Sequence, residues 1–124
     1  MVIALLVAPG EHPSITQLCD NRDYLAHAVS IENSEHCTAA SFCLRKGIAI
    51  IHAENGIYVP STGNRKIGKR IIAGVFYIVG ISNGTLRSLT DDEITEFSLR
   101  FWEPETFSDE ELIEAWIDTL FGEL

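Results

Sequence analysis

The sequence predicts an α+β domain: a mostly antiparallel sheet packed by a short N-terminal helix and two C-terminal acidic amphipathic helices. Three observations carry this reading. Apolar, β-branched runs separated by turn dipeptides fill the first two-thirds of the 124 residues. Two helix-start signatures open the last third. No repeat, low-complexity tract or long linker divides residues 1–124, so one domain is expected.

Val2 to Ala8 is an unbroken apolar run closed by Pro9-Gly10, which suits a buried strand ended by a turn. Asn21 is placed to cap a short helix through Asp23, Tyr24, Leu25, Ala28 and Val29, where apolar residues recur at helical spacing. Ser34 to Phe42 is weakly patterned and fits either a strand or an irregular loop. Ile48 to Ala53, Asn55-Gly56 and Ile57 to Val59 read as a hairpin, because Asn-Gly supplies the positive φ angles of a tight turn.

Pro60 to Asn64 punctuates the chain before a basic segment, and Ile71 to Ile81 then reads as one strand. Ile71, Ala73, Val75, Tyr77, Val79 and Ile81 share one face of it, with Ile72, Phe76 and Ile78 on the other. A strand apolar on both faces belongs at the centre of a sheet covered on both sides, or at an interface. Ser82-Asn83-Gly84 turns the chain.

Thr90 with Glu93 and Ser108 with Glu111 have capping-box spacing, and Leu89 with Ile94 and Phe107 with Leu112 have the spacing of hydrophobic staples. Ile94, Phe97 and Phe101 form one apolar stripe; Ile113, Trp116, Ile117, Leu120 and Phe121 form a second, and the aromatics of these helices read as core or a self-association surface. Pro104 separates the helices. Glu111, Glu114 and Asp118 line the last helix as an acidic stripe opposite its apolar one.

With 46% apolar residues the chain is too hydrophobic to be disordered, and its longest apolar run is far short of the ~20 residues that span a bilayer. Met1 to Ala8 lacks a basic signal-peptide region, and three cysteines make an odd count that fits reduced thiols. A soluble cytoplasmic protein without membrane contact is expected. The formal charge of -9 divides sharply. Through Thr90 six acidic residues face eight basic ones; beyond it twelve acidic residues face Arg100 alone. This field repels phosphate backbones, so direct nucleic-acid binding is not expected.

Gly63 to Lys69 matches the first seven positions of a phosphate-binding P-loop, but Arg70 stands where a hydroxyl should bind magnesium, and a β-branched run follows where a helix is needed. The same glycines and cations suit phosphate recognition without hydrolysis. His36, Cys37 and Cys43 lack the paired spacing of a structural zinc site, so no metal is assigned. No nucleophile elbow, dinucleotide fingerprint or H-E-x-x-H occurs; neither catalytic residues nor a cofactor is assigned, and a non-enzymatic protein is expected.

Several segments in order carry a resemblance: Val7-Ala8-Pro9-Gly10, Tyr24 to Val29, Asn64-Arg65, Ile72 to Gly80 with its internal Gly74, and Ser88-Leu89-Thr90-Asp91-Asp92-Glu93. Over most of residues 1 to 107, the Cys37–Cys43 stretch fitting less well, the chain resembles a family of small domains of unknown function carried by phages, plasmids and conjugative elements of Gram-positive bacteria. The resemblance implies a mobile-element setting and supplies no activity. Two functions are expected in that setting. In the first, Asn64, Arg65, Lys66, Lys69 and Arg70 hold the phosphates of a small nucleotide-derived ligand, with Tyr58 or Tyr77 stacking on its base, so that the protein sequesters an immune signal of the host. In the second, Glu111, Glu114 and Asp118 engage a basic patch on a host protein, imitating nucleic-acid charge. Self-association is expected in either case, because the two-faced strand and the aromatic helices offer more apolar surface than one small sheet covers.

Overall fold

Val2 to Val7 forms β1, and Pro9-Gly10 turns the chain out of it. The computed structural model describes residues 1–32, 39–53, 63–68 and 70–121. Within them follow β2 (Ser14–Leu18), α1 (Arg22–Glu32), β3 (Ala39–Arg45), β4 (Ile48–Ala53), β5 (Gly63–Ile67), β6 (Arg70–Ala73), β7 (Phe76–Ser82), β8 (Thr85–Arg87), α2 (Asp91–Arg100) and α3 (Asp109–Phe121). The described residues are therefore α+β with three helices, and every described strand pairing is antiparallel. The Asn55-Gly56 turn, the Ile57–Val59 strand, Tyr58, Lys69 and the His36-Cys37 pair lie outside the described residues, as do the side chains of Trp116, Asp118, Leu120 and Phe121.

The strand order is β2-β1-β7-β4-β3. Gly80 pairs with Ile48 on one side and Arg87 on the other, so β8 continues the β1 edge of β7. The apolar strand is thus central, as its two-faced pattern requires. Phe76 and Ile78 join Leu5, Val7, Ile48, Ile50, Ile67, Ile72, Leu89, Phe97 and Phe101 on one face. Tyr77 and Val79 join Ala4, Leu18, Ala49, Ile51, Ala53 and the α1 residue Val29 on the other. Because one chain covers both faces of β7, that strand no longer argues for a second copy.

One expectation is corrected here. Ile71 to Ile81 is not a single strand: Gly74 adopts φ 71°, a region that side chains with a Cβ rarely enter, and bends the chain out of the sheet. The part before the bend, β6, pairs with β5 as a separate hairpin. Parity survives the bend, since Ile72 still reaches the core that holds Phe76 and Ile78. Alternation alone gives no sign of the break. The edge strand β2 is an addition to the elements expected from sequence.

Local signals form as expected elsewhere. Asn21 Oδ1 accepts the Tyr24 N–H at 3.0 Å and starts α1. Asn83 and Gly84, at φ 53° and 78°, close the β7–β8 hairpin. Both capping boxes are closed: Glu93 N–H to Thr90 Oγ at 3.2 Å with Thr90 N–H to Glu93 at 2.9 Å, and Glu111 N–H to Ser108 Oγ with Ser108 N–H to Glu111, each 3.2 Å.

Two cations fasten α2 to the sheet. Arg87 on β8 makes a two-pronged pair with Glu93 at 2.8 and 3.0 Å and also donates to Gly47 O. Arg45 on β3 forks onto Glu96 while its guanidinium lies 4.9 Å from the Phe97 ring centre. The hydrogen bond from Arg87, joined by those at Thr90, holds the Glu93 carboxyl down at about 2 against the cost of its partial burial.

Candidate functional site

The basic segment was expected to present its cations to a ligand. Its backbone instead forms the β5–β6 hairpin; alternation from Arg65 onward sends Arg65 and Ile67 inward and Lys66 outward, and an irregularity in the register between Gly63 and Arg65 lets the neighbouring Asn64 be buried as well. Asn64 and Arg65 are both fully buried. Asn64 Nδ2 donates to Val7 O and Gly74 O, each at 2.8 Å, tying the end of β1 to the bend before β7. Its Oδ1 accepts from Arg65 Nη1 at 2.8 Å.

The guanidinium is satisfied throughout by protein oxygen. Nε and Nη2 donate to Phe101 O at 3.1 and 2.9 Å, Nη2 also donates to Glu11 O, and Nη1 reaches Asn64 O as well as Oδ1. Phe101 is the C-cap of α2, so the cation sits against the negative end of that helix. Burial pushes the Arg65 pKa below its ordinary value, and the field of Glu105 opposes the shift. Glu105 also accepts the Lys66 backbone N–H at 3.1 Å. Beside this junction His12 stacks on Trp102 at 3.9 Å and hydrogen-bonds its carbonyl.

Three of the residues expected to contact a phosphate-bearing ligand are buried. Asn64 and Arg65 are sealed from solvent with their polar atoms engaged, and the Tyr77 ring lies in the core under α1. Arg70 is half-buried with its guanidinium 4.6 Å from the Phe42 ring centre. Lys66 is exposed. The Asn64-Arg65 pair joins four segments: the end of β1, the loop after it, the bend at Gly74 and the end of α2.

The C-terminal helix also differs from expectation. Leu112 and Ala115 are buried, whereas Ile113 and Ile117 are 47% and 43% exposed. Leu112 is the inward half of the staple expected from sequence, and each helical residue advances about 100°. Ile113 and Ile117 are therefore turned about 100° and 140° away from the buried side. Glu110 and Glu114 are exposed and fall between and beside them at i, i+3, i+4 and i+7, so one outward face alternates acid and isoleucine. Neither glutamate makes an ion pair with a described residue. Glu111 closes the capping box. The staple position, taken with the helical period, was the signal that could have revealed this face.

Among the described residues no group of three His, Cys, Asp or Glu is arranged to hold a metal ion, and no helix is long and apolar enough to cross a membrane. Cys19 and Cys43 are free thiols. No family model, curated protein or solved structure matches the chain.

Proposed function

We propose that the chain is an acidic protein-interaction module that works through the outward face of α3. The partner is a protein whose surface offers an apolar cleft flanked by lysine or arginine. The observation that carries this reading is the Glu110–Ile113–Glu114–Ile117 stripe, exposed opposite the buried Leu112 and Ala115. Isoleucines contribute apolar contact area and the glutamates contribute steering and register, a division common at protein interfaces. The fold supports it further: Arg45 and Arg87 are engaged by α2 acids, so these two cations are not available to neutralise α3. In a mobile element, the setting the resemblance implies, the partner is a host protein that the module inhibits.

The small-anion reading keeps the exposed Lys66 among the described residues, while Asn64 and Arg65 are buried and hydrogen-bonded within the protein. A second copy of the chain is a poor occupant of the α3 face, since it would set Glu110 and Glu114 against like charges.

The test starts with capture from host lysate and continues with titration of the purified captured protein against wild type, Glu110→Lys/Glu114→Lys and Ile113→Ser/Ile117→Ser. Binding is expected to weaken at least about tenfold in each double variant, consistent with a few central contacts carrying most of the energy. It should also fall with salt in wild type and lose that dependence in the charge-reversed form. Affinity unchanged in both variants, failure to capture any protein, or light scattering showing a dimer that the α3 variants dissolve would each overturn the reading.

A further inference from the structure

A second feature lies on the opposite side of the sheet and is independent of α3. The α1-facing positions of β3 and β4 carry Ala39, Ser41 and Ala49, whereas their other face carries Phe42, Ile48 and Ile50. The helix contributes Leu25 and the small Ala26 at this point. Small side chains on both sides leave the layers unfilled, and a cavity of about 620 Å³ opens between α1 and strands β3, β4, β7 and β8. Its size falls within the ~300–1,000 Å³ of small-molecule sites.

We propose that this cavity binds a small organic cation, an amine with an alkyl or aryl body. Ala49, Ile51, Ile81 and Leu86 give it apolar walls, and the described lining residues contain two charged groups, Asp20 and Asp23, with no cation among them. Asp20 Oδ2 accepts the Leu86 N–H at 3.1 Å, which fixes that carboxylate at the rim and leaves its other oxygen for an ammonium. An anion would meet two negative charges there, and a wholly apolar ligand would leave the carboxylates unused. Apolar body and positive end together match the lining.

The probes are butylamine, hexylamine and octylamine, with hexanol and hexanoate as controls, titrated into the full chain by calorimetry and followed by amide NMR shifts. Affinity is expected to rise about fourfold for each added methylene, as burial of a CH₂ group implies. Hexylamine should bind more tightly than hexanol, and hexanoate should not bind. Shifts should map to Ala39, Ala49 and Leu86. Asp20→Asn together with Asp23→Asn should remove the preference for hexylamine over hexanol, and Ala49→Leu should abolish binding by filling the cavity. Because Ala49 is itself buried, Ala26→Leu on the half-buried surface of α1 provides a second filling variant should the first fail to fold. No binding by any amine, equal binding of hexanoate, or binding unaffected by Ala26→Leu would overturn the proposal. None of these results bears on the α3 face, so the two readings fail separately.

Discussion

Replacing Arg65 by methionine tests the central structural assignment, because methionine keeps an unbranched apolar stem and removes every donor. Five hydrogen bonds are lost, to Phe101 O twice, Glu11 O once and Asn64 O and Oδ1. Glu11 O lies at the edge of the junction and regains water, while Phe101 O and Asn64 Oδ1 are left buried without this donor. Each such group costs about 1–3 kcal/mol. Against this, the variant no longer has to desolvate a cation, which offsets part of the loss. The expected net destabilisation is about 2–4 kcal/mol, or a fall in Tm on the order of 10 °C for a domain of this size. Urea unfolding followed by tryptophan fluorescence reads the effect directly, since Trp102 adjoins Phe101. Arg65→Lys should fall between wild type and Arg65→Met, because an ammonium keeps the charge and loses the planar fork that spans four acceptors. A stability within about 0.5 kcal/mol of wild type for Arg65→Met would refute the buried-junction account. If that same variant also lost binding to a nucleotide, the anionic-ligand reading would return.

Two further predictions concern the fastening of α2. The Glu93 carboxyl titrates at about 2 when folded, below its ordinary 4.5, so its stabilisation is complete above pH 4.5 and is lost as pH falls from there toward 2. Denaturant midpoints measured from pH 6 to pH 2.5 should decline through this window, and the decline should be shallower in Glu93→Gln; an identical slope in both proteins would contradict the assignment. Gly80 lies beneath the Arg87 side chain, where an added Cβ would sit 2.6 Å from Arg87 Cγ. Gly80→Ala should therefore push Arg87 off Glu93 and weaken α2 anchoring, seen as faster amide exchange at the start of α2; unchanged exchange there would show that the arginine reaches Glu93 by another path.

The particular elements show what a sequence transmits. Asn21, the two capping boxes, Pro9-Gly10 and Asn83-Gly84 act on backbone groups within three residues of themselves, so their chemistry is complete in the local sequence. The central position of β7 was legible for a related reason: apolarity on both faces states that both must be covered. The bend at Gly74 was not legible, because it preserves the alternation on either side of it. The outward face of α3 was half legible, through the inward staple residue Leu112, but five apolar residues at helical spacing fit core or a self-association surface equally, and two of them meet solvent.

The sequence by itself determined the α+β class, the helix starts, the turns and the division of charge at Thr90, because each follows from local backbone chemistry or from composition. Only the tertiary structure decided what the charges do. Arg65 stands in a run of cations that suits phosphate recognition, yet its acceptors Phe101 and Glu11 lie 36 and 54 residues away and meet it only when the sheet closes against α2. A buried cation is tolerated where enough oppositely directed dipoles converge on it, and convergence from distant segments is a property of the folded chain that no local pattern of residues contains.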